Sequence, residues 1–239
     1  MIDPIFETEA VKKFVGCDSD EVNAGTPTSP SVWMFGIEHG TYGARSESSV
    51  DVPTDQGYSI EEQLRYPYNQ KAFKLLAAIE GLNVEEYRRF AEEKQPFVKT
   101  IPGYFKGNLY PFACRNLGVW PDDAARETGT TDKREYQRWC RDYRLPAIKR
   151  WVEEYQPKLF IGVGVTCRDE FALAVFGEFV SFREDLLSVN GHKKRIFSHV
   201  KDMKRLVVVP HFSGANGLNS DESIQGAGEI ISGVMGSTP

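Results

Sequence analysis

The chain has 239 residues, 41% hydrophobic and 26% charged, which is material for one large domain or two small ones. Its formal net charge of −5 argues against a protein that coats nucleic acid with its whole surface, while leaving room for a local basic face. No apolar run approaches the ~20 residues of a membrane span, and Met1-Ile2-Asp3-Pro4 lacks the basic start of a secretion signal, so a cytoplasmic protein is the default expectation.

In chain order, residues 5–15 read as a short amphipathic helix and 17–31 as a polar loop. Val32-Trp33-Met34-Phe35-Gly36 is a continuous apolar run, the mark of a strand covered on both faces. A long irregular segment, 37–66, follows, with one helical turn at Ile60–Leu64; a loop of that length is usually functional. Apolar spacing predicts helices over 69–80 and 83–94, the second capped by Asn83. Asn108–Phe112 reads as a short strand that breaks at Pro111, and 121–133 as a loop. Lys133 to Tyr155 is a long helix with a kink expected at Pro146.

Lys158–Val163 is the next strand, turning at Gly164 and Thr166 into a helix over 167–176. Asn190-Gly191 between Leu186–Val189 and Arg195–Ser198 is the strongest short signal of a β-hairpin. Leu206–Pro210 forms the last main strand, and a helix over 220–234 closes the chain, with Asn219 or Ser220 as its cap. This order predicts a single α/β domain over 1–239. It is a three-layer α/β/α arrangement around a short, mostly parallel sheet of about four strands, plus a β-hairpin.

Cys17, Cys114, Cys140 and Cys167 lie far apart with no C-x-x-C pair, a spacing poor for zinc, and reduced, buried thiols are expected. His192-Lys193-Lys194-Arg195 is locally basic: either a solvated hairpin or a phosphate-contacting strip beside the loop that follows residue 209. Ligands of open α/β sheets bind outside the carboxyl ends of the strands. Glu38, just after the first strand, and His211, just after the last, could therefore share one pocket, as an acid/base hydrolase or lyase requires.

From residue 32 onward the chain resembles the uracil-DNA glycosylase superfamily. Gly36-Ile37-Glu38-His39-Gly40 resembles the family's first loop, with an acid at its third position. Pro67-Tyr68, followed by Ala72 and Leu75-Leu76, resembles the segment that supplies a stacking aromatic before a helix. Asn108 in Asn108-Leu109-Tyr110-Pro111 resembles the strand-end Asn that reads the base, and His211-Phe212-Ser213 the His-Pro-Ser loop. Pro157–Gly164 is similar to the family's penultimate strand. His39 and Phe212 stand where the family has Pro, which marks a divergent branch. Only Cys17 precedes the first strand, so the N-terminal Cys pair of the iron–sulfur members is missing; no cluster, no other cofactor and no metal is expected.

The resemblance implies roles that suit the residues' chemistry. Glu38 would orient water and stabilise oxocarbenium charge on the sugar, and His211 would donate to O2 of the departing base. Asn108 offers a donor and an acceptor to a uracil-like base edge; Tyr68 would stack on it, and Ile37 lies in the base-binding loop. His39, Thr166, Ser213 and Gly214 are candidate phosphate contacts, joined by Lys193, Lys194 and Arg195. Leu218 is either a wedge that fills the space of an extruded base or a core residue. The expected partner is DNA or a nucleotide-like ligand, with no membrane and a monomer by default. Two other readings stay open: a non-catalytic binding module on the same fold, and an enzyme acting on free nucleosides or nucleotides.

Overall fold

The run Val32-Trp33-Met34-Phe35 lies at the heart of the sheet. In the computed structural model, which describes residues 31–38, 58–99, 101–112, 114, 118–120, 122 and 130–236, it forms β1 (Val32–Glu38), buried along nearly its whole length. The expected helix at 5–15, nearly all of the loop at 17–31, Cys17, His39, residues 39–57 of the long irregular segment and most of the 121–133 loop lie outside the described residues.

β1 is flanked in parallel by β2 (Tyr104–Tyr110) and β3 (Leu159–Val163). β3 pairs in parallel with β6 (Lys204–Val209), and the hairpin β4 (Arg183–Val189) and β5 (His192–Lys201) adds on antiparallel to β6. The strand order is β2-β1-β3-β6-β5-β4. The expectation of about four strands plus a separate hairpin is thus corrected: the hairpin extends one six-stranded sheet. Its strands are longer than 186–189 and 195–198 because alternating charged residues on the exposed edge hide the strand pattern, while Phe197 and Ser198 pair with Val208 and Val207 inside. The turn is as expected, with Asn190 and Gly191 both at positive φ (51° and 78°), the backbone a type I′ turn needs.

Side-chain alternation sends each strand's residues to two cores. Val32, Met34, Ile161 and Val207 pack against α2 (Pro67–Ile79), α3 (Tyr87–Lys94) and α7 (Asp221–Gly236). Trp33, Phe35, Phe160 and Val208 pack on the other face against α4 (Lys133–Trp139), α5 (Leu145–Tyr155) and α6 (Arg168–Phe176). Helices therefore cover both faces of the sheet. Capping follows the sequence: α1 (Ile60–Gln63) and the turn Val84–Glu86 before α3 each begin with a full capping box, from Ser59 and Asn83. Ser220 accepts the Ser223 N–H at the start of α7.

The kink expected at Pro146 takes a particular form. Residues Cys140–Arg144 are a π-turn in which Leu145 N–H reaches back to Cys140 O. The wider turn accommodates a proline that has no N–H and would crowd the carbonyl four residues earlier. Among the described residues no helix is long and apolar enough to cross a membrane, and no group of three His, Cys, Asp or Glu could hold a metal ion. Burial pushes the thiols of Cys140 and Cys167 up to about 12.

The two helices on the first face approach closely at Gly228, where a Cβ would stand 2.3 Å from Ala78 Cβ. Gly228→Ala is expected to destabilise the protein by about 1–3 kcal/mol through overpacking, despite the better helix propensity of Ala. Urea unfolding checks this.

Candidate functional site

The order β2-β1-β3 means that the chain leaves β1 toward one side of the sheet and later returns to the other. Such a reversal opens a crevice at the carboxyl ends of the two central strands. Glu38 ends β1, Tyr110 ends β2, Val163 ends β3 and Val209 ends β6, so the loops after them share one rim.

Gly36 and Asn108 are register partners on β1 and β2. A Cβ at position 36 would stand 2.5 Å from Asn108 Oδ1 and 3.6 Å from the Tyr68 hydroxyl oxygen. The missing side chain therefore lets the Asn108 amide lie across β1, with Tyr68 brought in from the first turn of α2, where Pro67 occupies a position suited to a residue without an N–H. Asn108 is buried, and its carbonyl accepts a hydrogen bond from Arg144 Nη2 at 3.1 Å. The Tyr68 ring centroid lies 6.5 Å from that of His211 and 5.2 Å from that of Phe212. Asn108 and the Tyr68 hydroxyl thus meet at the bare Cα of Gly36, and the Tyr68 ring stands beside His211.

The His211 loop is held from two sides. Lys71, one helical turn beyond Tyr68 on α2, donates to Phe212 O at 2.6 Å. Within the loop, Leu218 N–H donates to His211 O at 2.8 Å. His211 Nδ1 accepts from the Ser213 N–H at 3.2 Å and lies 2.8 Å from Ser213 Oγ. A ring nitrogen that accepts carries no proton, so this network assigns the imidazole hydrogen to Nε2. His211 keeps an exposed edge, yet crowding around the ring, and secondarily the Lys71 ammonium, hold it below the ordinary imidazole value. The imidazole favours its neutral form, with an Nε2–H donor that no described residue takes up.

Glu38 has a partner that the sequence did not announce. Lys133, the first residue of α4, places Nζ 2.9 Å from Oε2 and donates a hydrogen bond to Oε1 at 3.2 Å. The Oε2 contact is a charge contact without hydrogen-bond geometry, and among the described residues Oε2 accepts no hydrogen bond. Both side chains are more than nine-tenths buried, at 8% and 7% exposure. Burial raises the Glu38 carboxyl above its ordinary value, and Lys133 opposes that rise. Glu38 ends β1 and His211 follows β6, and β3 alone lies between those two strands.

Other expectations fare differently. Ile37 buries its side chain beneath Gly164, whose φ of +130° and lack of a Cβ (2.4 Å from Ile37 Cδ1) permit the contact; only its backbone is left for a ligand. Leu218 is fully buried in the core and forms no wedge. The basic strip is not one surface: β5 alternation sends Lys194 inward onto Gly217 O at 2.5 Å, and Arg195 is engaged by both oxygens of Glu184 (2.8 and 2.6 Å), leaving Lys193 outward. Thr166, Ser213 and Gly214 are exposed at the rim, and His39 lies outside the described residues. The sequence reading missed Lys71, Lys133 and Arg144; of these, only Lys71, three residues after Tyr68, carried a local signal. No family model matches the chain, and no curated protein aligns with it significantly.

Gly36→Ala is expected to displace the Asn108 amide and to cost about 1–3 kcal/mol, because the contact is with a packed side chain; a crystal structure and urea unfolding of the variant check both. Lys133→Met removes the cation that opposes burial, so the Glu38 carboxyl rises further and ionises at higher pH; an unchanged carboxyl titration by carbon-13 NMR would exclude Lys133 as its counter-charge. For His211 the sign is opposite. With its folded value depressed, the stability it contributes is present above the ordinary imidazole value and is lost as pH falls through the folded one.

Proposed function

We propose that this protein is a uracil-DNA-glycosylase-like enzyme that hydrolyses the N-glycosidic bond of a deaminated or damaged base flipped out of DNA. The observation that carries the reading is that Asn108 and the Tyr68 hydroxyl meet at the bare Cα of Gly36, with the His211 ring beside Tyr68, on the rim where β1 ends at Glu38. An extruded base would stack on Tyr68 while Asn108 meets its polar edge. As the glycosidic bond lengthens, the base gains negative charge and the sugar positive charge. The Nε2–H of a neutral His211 donates to the base oxygen, and its hydrogen bond strengthens as that charge grows.

Glu38, where Lys133 opposes the effect of burial, stabilises the oxocarbenium sugar as its carboxylate and orients the water that adds to it. The water oxygen bonds to the anomeric carbon as the C–N bond breaks; the electron pair of that bond leaves on the base, which takes a proton from solvent, and the proton lost by the water passes through Glu38 to solvent. A metal-independent reaction belongs to this reading, and the same rim suits a nucleotide-like ligand. A second reading, a nucleic-acid or nucleotide-binding module without catalysis, is favoured by one feature: the Glu38 carboxylate is already occupied by a buried ammonium.

Abasic-site cleavage over oligonucleotides containing uracil, hypoxanthine, xanthine or a G·T mismatch separates the two readings. Glu38→Gln and His211→Ala are each expected to lower base release about 100-fold, the scale of one lost transition-state contact. The acid limb of the rate is expected above the ordinary glutamate range, since burial raises Glu38. Undiminished release by both variants would remove their roles, and no release from any substrate by the parent protein, with binding retained, would leave the module.

A further inference from the structure

Lys194 presents an unbalanced charge. It is 5% exposed, and among the described residues its ammonium makes one hydrogen bond, to Gly217 O at 2.5 Å, and no ion pair. Lys133, buried to the same degree, has Glu38. An ammonium withdrawn from water without an anion is costly, and one carbonyl satisfies only one of its three donors. Lys194 also lines a cavity of 220 Å³ between the β4–β5 turn and the loop that leads into α7. The remaining polar groups of the lining are Asn190 and His192 from the turn and Asn219 and Ser220 from the loop, with no carboxylate among them. Asp221, next in the chain, is drawn away by Lys74 at 2.6 Å.

We infer that this cavity is a phosphate-binding subsite that takes a backbone phosphate of the nucleic-acid strand. An ammonium, an imidazole, two amides and a hydroxyl line it, the Asn219 amide also donating to Gly214 O at 3.0 Å, and these are donors from which a compact oxyanion accepts. Its place fits the reading of the neighbouring rim, on which this inference rests. Lys194 holds Gly217 O, and the next residue, Leu218, donates its N–H to His211 O at 2.8 Å. The subsite and the base-facing imidazole are therefore linked through two hydrogen bonds and one peptide unit. A strand with its base at Tyr68 and His211 would lay a neighbouring phosphate against Lys194 and His192. The inward Lys194 and the His192 that opens β5 make the contact, rather than Lys193 or Arg195.

The test combines two titrations of the full chain. Inorganic phosphate is followed by proton–nitrogen NMR at the amides of His192, Asn219 and Ser220. Binding of a labelled uracil-containing oligonucleotide, single-stranded and duplex, is followed by anisotropy between about 50 and 200 mM salt. Saturable shifts at those amides are expected in the parent protein and in Lys194→Arg, and are lost in Lys194→Met. The log–log salt slope of oligonucleotide binding is expected to fall by about 0.7–0.9 in Lys194→Met. His192→Gln, a change at an exposed turn position, is expected to weaken the phosphate shifts and serves where Lys194→Met fails to fold.

Unchanged slopes in folded variants that still release uracil would overturn the subsite and leave base excision standing. Saturable phosphate shifts with no oligonucleotide binding at any salt would overturn the nucleic-acid assignment and, with it, the reading of the rim.

Discussion

The missing side chain of Gly36 is the constraint on which the candidate site depends. In a parallel sheet the register partner on the next strand normally meets a Cβ. Here Asn108 fills that space with its own amide, and the Tyr68 hydroxyl closes over the same spot. Gly164, at the end of β3, repeats the device for the opposite face, where Ile37 tucks beneath it. Two glycines on adjacent strands thus let polar groups collect on one side of the rim while an apolar side chain fills the other, at the place where the strand order reverses.

Lysines brace the loops around this rim, each in a different way. Lys71 ties the His211 loop to the helix that carries Tyr68, so the aromatic ring and the imidazole are positioned by one element. Lys133 balances Glu38 in a setting that would otherwise favour the neutral acid. Lys194 supports Gly217 O at the far end of the same loop. The arrangement sets the charge states as well as the shape. Burial, and secondarily the Lys71 ammonium, lower the His211 imidazole, while Lys133 opposes the burial that raises the Glu38 carboxyl.

Local chemistry made several features readable in advance. The capping residues Asn83 and Ser220, the turn Asn190-Gly191 and the disruption at Pro146 each act within a few residues, so their signals survive in sequence. The strand expected at Asn108–Phe112 runs instead over Tyr104–Tyr110, and within it Lys106 is buried, with its ammonium 3.4 Å from Asn69 Oδ1 and over the Phe97 ring. Leu218 could be weighed as wedge or core from sequence but not decided, because its burial depends on elements far along the chain.

The sequence by itself determined the alternation of strands and helices, the apolar runs that had to lie in a covered sheet, the positions of Glu38, Tyr68 and His211 at element ends, and that Asn108 lies in a strand. These follow from periodicity, capping and turn chemistry, which are short-range. Only the tertiary structure decided that the hairpin joins the sheet, that Lys133 answers Glu38 and Lys71 steadies Phe212, and that Lys194 turns inward while Arg195 turns to Glu184. Those outcomes depend on which distant surfaces meet, and a charged side chain carries no mark in sequence of the partner, carbonyl or solvent it will find.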